Sequence, residues 1–249
     1  MSLHRYARPR LDNRSAIRDI ARERRHDMTL VSDGLDVQQV SKRWRRSSRP
    51  VLDAASVRVA PGELARITGE NGAGKTTLAR IVAGLVLPDS GTVSLQGADT
   101  VAHQRRFHRQ LGFVSAGDRA LYARLSVRDH LSAWSRLAML PADERDEAIA
   151  VAMDDFALGE ILRSRVDRIS MGQRQRLRLA LAFLHRPALA LLDEPTTSLD
   201  EHGRELLTGA VLALLARGGI VVWISPEAEL TELPAAHELV LRDGELSPR

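Results

Sequence analysis

Apolar residues recur along the chain in two rhythms, and the switches between them outline a sequence of strands and helices. Leu35, Val37 and Val40 suggest a short strand, and residues 51–59 alternate enough for another. A turn over 60–63 leads to an apolar strand over 64–68. The period then lengthens: Leu78, Ile81 and Val82 share one face of a helix over 75–85. A turn at 88–91, a strand over 92–95, a helix over 102–111 and a strand over 112–115 follow.

The middle of the chain is helical. Ser126 and Asp129 have the spacing of a capping box, and Val127, Leu131, Trp134 and Ala138 fall on one face of the helix it opens. A second helix is predicted over 143–156. Strand and helix then alternate again: helix 172–184, strand 188–192, helix 202–216, and strands 220–224 and 238–242. This order predicts an α/β fold with a largely parallel sheet and a helical section inserted between its strand-bearing halves.

Composition narrows the classes. The chain has 249 residues, of which 44% are hydrophobic, enough for one sizeable core or a core with a small subdomain. Cysteine is absent, which excludes disulfides and thiolate metal sites. The longest apolar candidate for a membrane span, residues 177–192, is interrupted by Arg178, His185, Arg186 and Pro187. Residues 1–34 carry arginines from Arg5 to Arg25 mixed with acids and few large apolar side chains. They read as a basic, solvated N-terminal extension, with contact to anionic lipid or a partner as the alternative. The stretch lacks the apolar core of a signal peptide, so secretion is not expected. The net charge is only +4, and lysine occurs only at Lys42 and Lys75. The rest of the positive charge is arginine, which makes the placement of Lys75 informative.

Lys75 lies in Gly69-Glu70-Asn71-Gly72-Ala73-Gly74-Lys75-Thr76, the pattern GxxxxGK(S/T) between a predicted strand and a predicted helix. Glycines let main-chain N–H groups turn around phosphate oxygens, and the helix beginning near Lys75 adds its positive end. Lys75 is expected to reach the β- and γ-phosphates, Thr76 to place its hydroxyl on Mg²⁺, and Thr77 to help hold phosphate. Asp193 ends an apolar strand at the carboxyl edge, where α/β proteins bind ligands, and can hold the same metal ion. Glu194 follows it and is positioned to polarise an attacking water. The alternative, a helix-capping acid pair, is weakened by the Pro195-Thr196-Thr197-Ser198-Leu199-Asp200 run that follows.

With Ser170-Met171-Gly172-Gln173 added, the chain resembles the nucleotide-binding subunit of an ABC transporter over about residues 35–244. The features that carry the resemblance are the Walker A loop 69–76, the signature 170–173, the Walker B strand with Glu194, and the D-loop 198–200, all in family order. The resemblance implies a P-loop NTPase (RecA-like) core with a mostly parallel sheet, an antiparallel β subdomain and an α-helical subdomain at about 116–171, all within an ATP-binding domain spanning 35–249. It implies ATP and Mg²⁺ as ligands, with Gly69, Glu70, Asn71, Gly72, Ala73, Gly74, Lys75, Thr76, Thr77 and Asp193 around the nucleotide. Thr76 and Asp193 would serve the metal and Glu194 the chemistry. Ser170, Gly172 and Gln173 would grasp the γ-phosphate bound to a second cassette. Trp44 falls where the family stacks an aromatic on adenine, though beside Lys42, Arg43, Arg45 and Arg46 it reads equally as a surface anchor.

The implied partners are a separate transmembrane permease and a second ATP-binding cassette, and the implied location is the cytoplasmic face of the cell membrane. No nucleic acid partner is expected, because the basic N-terminus lacks interleaved aromatics beyond Tyr6. The helical insert 127–156 and the loop 116–125 form the expected docking surface, and residues 121–128 resemble exporters of drugs, lipids or polysaccharides. Two family positions are filled differently. Where a Gln is usual, the run is Ser115-Ala116-Gly117-Asp118-Arg119, with Asp118 the candidate substitute. Where a His is usual, the run is Ser225-Pro226, with Ser225 a weaker donor to phosphate. These gaps leave open a slow own site in an asymmetric dimer, a homodimer of modest activity, or a non-hydrolysing regulatory cassette; a soluble ABC-type ATPase acting on nucleic acid or ribosomes is the alternative of a different class.

Overall fold

In a computed structural model that describes residues 34–45, 49–117, 121–226 and 233–249, the chain forms two sheets flanked by helices. The first is antiparallel, ordered β2–β1–β4–β5, from β1 (Leu35–Lys42), β2 (Leu52–Val59), β4 (Ser90–Leu95) and β5 (Ala98–Asp99). The second has six strands ordered β10–β9–β3–β8–β7–β6: β3 (Leu64–Thr68), β6 (Leu111–Val114), β7 (Leu189–Asp193), β8 (Ile220–Ile224), β9 (His237–Arg242) and β10 (Glu245–Pro248). All its pairings are parallel except β9 with β10.

The strands β3, β7 and β8 are buried at every position because apolar layers cover both faces of the second sheet. The two-residue period of a strand divides their side chains between those layers. Ala190, Leu192, Val221 and Trp223 join one cluster with the helices that follow β6. Leu189, Leu191, Ile220, Val222 and Ile224 join the other, with the antiparallel sheet and the helix after β3.

That helix, α1 (Lys75–Val82), buries Leu78, Ile81 and Val82 as their spacing predicts. It stops three residues before the expected end. Gly84 takes φ 69°, the Leu85 N–H turns back to the Arg80 carbonyl, and Leu85 is left exposed. Helix α2 (Gln104–Gln110) leads into β6. Between β6 and β7 lie α3 (Val127–Leu137), α4 (Arg145–Asp155), two 3₁₀ turns and α5 (Met171–Phe183), and α6 (Glu201–Ala216) joins β7 to β8. The capping box at the start of α3 forms: the Ser126 hydroxyl accepts the Asp129 N–H and the Asp129 carboxylate accepts the Ser126 N–H.

Candidate functional site

The register of the parallel strands decides what meets at the sheet edge. Ile67 pairs with Ile224, and Ile224 with Asp193, so β3, β8 and β7 end in one row. Each end continues into a loop bearing candidate chemistry: residues 69–76 after β3, Ser225 after β8 and Glu194 after β7. Two main-chain bonds tie these exits together, Ser225 N–H to the Ile67 carbonyl at 3.1 Å and Glu194 N–H to the Ile224 carbonyl at 2.8 Å.

The loop after β3 curls around its own lysine. Lys75 is only 6% exposed, and its Nζ donates to the carbonyls of Gly69 at 2.7 Å and Glu70 at 2.9 Å. The cap of α1 is Gly74, with φ 106° and no side chain to occupy the first-turn amides. Those amides and the helix dipole remain for an anion. A Cβ at Gly74 would stand 2.7 Å from the Val51 carbonyl oxygen, so only glycine lets the antiparallel sheet close against this turn. Glu70, Asn71, Gly72 and Ala73 line one side of a cavity of about 540 Å³, faced by Asp53 and Arg242. Thr76 and Thr77 occupy the first turn of α1, both half-buried. Trp44 does not line this cavity; it is exposed, with the Lys42 Nζ 5.5 Å from its ring centroid, a surface cation–π pair.

Asp193 is 1% exposed. Its Oδ2 accepts the Ala116 N–H at 3.4 Å, and its Oδ1 has no hydrogen-bond partner among the described residues. Burial pushes its carboxyl above the ordinary aspartate range and the neighbouring Glu194 charge adds to this, while the Ala116 amide, the Thr76 side chain and the Lys75 charge oppose it. An unpartnered buried carboxylate oxygen beside a threonine hydroxyl suits a hard divalent cation. No cluster of three ligating side chains exists among the described residues, so such an ion would arrive with phosphate oxygens as further ligands. Glu194 is half-buried and takes φ 52°, and Ser198 takes φ 65°. Both are left-handed conformations that non-glycine residues adopt at a cost.

Ser170 and Gln173 spend their side chains on one another. The Ser170 hydroxyl accepts the Gln173 N–H at 3.1 Å and the Gln173 Oε1 accepts the Ser170 N–H at 2.9 Å, forming the capping box of α5. Ser170 stays exposed, and its hydroxyl hydrogen is free of that bond. Gly172 packs against the loop after β7, where an added Cβ would lie 2.9 Å from the Ser198 carbonyl oxygen. Loop 69–77 and the Asp193–Glu194 pair therefore share one sheet edge, whereas Ser170–Gln173 form a separate helix tip against residue 198.

Of the two candidate substitutes, Asp118 lies outside the described residues. Ser225 is fully buried, and its Oγ has no hydrogen-bond partner among them. His237 opens β9 and contacts Glu63 Oε2 at 3.1 Å, which accounts for it structurally. Sequence reasoning missed Gln175 and Arg178, two buried polar side chains on α5; the one signal was Arg178 interrupting the apolar run 177–192. Among the described residues, no helix is long and apolar enough to cross a membrane.

Known proteins resemble this chain in sequence and in fold. A family model described as ABC transporter matches residues 52–197. The chain is 34% identical to the Nod factor export ATP-binding protein I of Rhizobium etli over 222 residues, 89% of this chain and 69% of that protein. It is 33% identical to the ABC transporter ATP-binding/permease protein Rv1747 of Mycobacterium tuberculosis, covering 89% of this chain but 26% of that longer protein. The fold is similar to the ATP-binding subunit of an ABC transporter (TM-score 0.78, 25% identity, 86% of this chain and 90% of the other). It is also similar to the dimeric bacterial cassette MJ0796 (TM-score 0.75, 22% identity, 86% and 96%). The α/β chain with its P-loop NTPase core thus belongs to the ABC transporter family, whose ATP-binding domain it carries.

Proposed function

We propose that this chain hydrolyses ATP to drive a separate membrane permease, working in a pair with a second ATP-binding cassette on the cytoplasmic face of the membrane. The observation that carries the reading is the shared edge of β3, β8 and β7. It brings a glycine-capped helix start, a buried lysine and an underpaired buried carboxylate to one place.

In this account the first-turn amides of α1 and the Lys75 ammonium bind the β- and γ-phosphates of ATP, exchanging the Gly69 and Glu70 carbonyls for phosphate oxygens. Thr76 and Asp193 would hold Mg²⁺, which neutralises charge on the phosphates when bound. Glu194 orients a water for in-line attack on the γ-phosphorus. Ser170 and Gly172 of the opposing cassette complete the site through a hydroxyl and N–H groups at a helix start, so ATP closes the pair and hydrolysis reopens it. The permease would bind α3, α4 and the segment leading into them. Trp44, exposed beside Lys42, would stack on the nucleotide base. Residues 1–34 would form a basic extension to the 35–249 domain, and 1–33 of them lie outside the described residues. Export is the favoured direction, because relatives at 34% and 33% identity are named Nod factor export proteins.

A second reading, slow hydrolysis at the chain's own site, is favoured by the run Ser115-Ala116-Gly117-Asp118-Arg119, which offers no Gln, and by Ser225, whose hydroxyl is buried. Single-turnover hydrolysis by the purified chain, compared with Glu194→Gln, tests both. A Glu194-dependent rate of roughly 1 per second or more, typical of enzymes, supports the first and rejects the second. A slow rate that the substitution still abolishes supports the second, and tight ATP binding with no Glu194-dependent turnover overturns hydrolysis altogether.

A further inference from the structure

A buried polar ring joins the ends of β6 and β7 through α5. Arg178 Nη2 donates to the Ser115 carbonyl, and Arg178 Nη1 donates to Gln175 Oε1 at 2.7 Å. Gln175 Nε2 in turn donates to the Pro195 carbonyl at 2.7 Å. The circuit closes through the backbone from Pro195 to Asp193 and the Ala116 N–H on Asp193 Oδ2. Arg178 is 8% exposed and Gln175 4%. They sit one turn apart on a helix that otherwise buries Leu177, Leu179, Ala180 and Leu181 here. A buried guanidinium costs more folding free energy than an apolar side chain of similar size would. A planar fork holds two acceptors in one plane at fixed angles, which the rotating donors of an ammonium do not enforce.

Glu194 is the backbone link between two members of the ring and takes a left-handed conformation, its own N–H bonded to the Ile224 carbonyl. Ala116 offers no polar side chain to fix the loop after β6, so that loop is held through the Ser115 carbonyl and the Ala116 amide. We propose that Arg178, acting through Gln175, is a positioning residue for the hydrolytic site. It fixes the backbone on either side of Glu194 relative to the end of β6 and ties both to the helix that bears Ser170–Gln173. This inference rests on Glu194-dependent hydrolysis as proposed above. Movement of the segment after β6 then reaches Glu194 through side-chain bonds as well as through the sheet.

The test uses the full chain with Arg178→Leu, Gln175→Leu, the double variant and Gln175→Glu. Gln175→Glu keeps an acceptor for Arg178 but loses the donor to the Pro195 carbonyl. Each is measured for ATP affinity, single-turnover rate and hydrogen exchange over residues 111–117 and 193–199. The expected result is a turnover loss of about 10- to 100-fold, the scale of a small misplacement of a reacting group, with ATP affinity little changed. The double variant should be no slower than the worse single variant, and Gln175→Glu, which turns a carboxylate oxygen toward the Pro195 carbonyl, should stay slow although Arg178 keeps its acceptor. Exchange should rise in both segments together. Turnover within about twofold of the parent in Arg178→Leu, or independent additive losses, overturns the proposal. If the parent shows no Glu194-dependent turnover, the proposed function fails, and exchange still decides the ring: unchanged exchange in both segments refutes it.

Discussion

Replacing Asp193 with Asn should stabilise the nucleotide-free protein at neutral pH while removing its response to magnesium. The carboxylate is buried, one oxygen has no partner among the described residues, and the other accepts a long bond from Ala116. Asn has the same shape and gives up the charge. Its unpaired amide donor costs less than an unpaired ionised oxygen, so the net gain is a part of the roughly 1–3 kcal/mol that one unsatisfied buried group costs. For a chain of this size that is a rise in Tm of about 2–4 °C per kcal/mol. The pH dependence has a definite sign. Burial holds the folded-state pKa of Asp193 above its unfolded value near 3.8. The folded protein therefore binds this proton more tightly than the unfolded chain does. The stability this confers is fully present below the unfolded pKa and is lost as pH rises through the folded one. The advantage of the Asn variant should thus be largest at pH 7 and shrink as acid protonates the parent. Thermal denaturation across that range, without nucleotide and then with ATP and Mg²⁺, reads both effects. Ligand at 100 times its Kd should stabilise the parent by about 2.7 kcal/mol, and the variant by no more with Mg²⁺ than without. A variant less stable than the parent at pH 7, or a gap that persists in acid, would refute the claim that this carboxylate is held in want of a cation.

Two further substitutions probe the supports of the site. Gly74→Ala meets both a φ of 106° and a carbonyl oxygen 2.7 Å from the new Cβ; the left-handed backbone alone costs about 1–2 kcal/mol, so calorimetry should show ATP affinity falling by tenfold or more together with a lower Tm. His130→Phe removes two bonds, because the buried ring accepts the Tyr122 N–H on Nε2 at 2.9 Å and, as the tautomer this requires, donates from Nδ1 to the Ser126 carbonyl. The Tyr122 amide should then lose protection from hydrogen exchange, with a stability loss of about 1–3 kcal/mol and ATP affinity unchanged.

The sequence was most legible where one local pattern dictates one structure. The apolar spacing at Leu35, Val37 and Val40, whose extra residue is taken up by an irregularity at Gln39, the helical face Leu78–Ile81–Val82, and the capping box at Ser126 are local patterns, and each produced its element. Two strands were missed for one reason. β5 and β10 are too short for periodicity to register, yet both follow a two-residue turn with positive φ at each position, Gln96-Gly97 and Asp243-Gly244. Such turns form hairpins because their twist matches that of the strands, so the Asp-Gly pair was a readable signal for β10. The loop around Lys75 was legible because its chemistry requires glycine at fixed offsets. The Arg178–Gln175 ring was not, since its acceptors Ser115 and Pro195 stand 63 and 20 residues away in sequence and are backbone carbonyls that no side-chain pattern marks.

Equilibrium binding of ATP to the purified chain and to Lys75→Ala tests the central claim most directly. Lys75 is buried within the loop, and its two carbonyl contacts are to be exchanged for phosphate oxygens. Hydrogen bonds to a charged group contribute about 1.5–3 kcal/mol each, so the substitution should weaken ATP binding by at least tenfold and leave a folded protein with an intact sheet. ATP bound with equal affinity by both proteins would contradict the account.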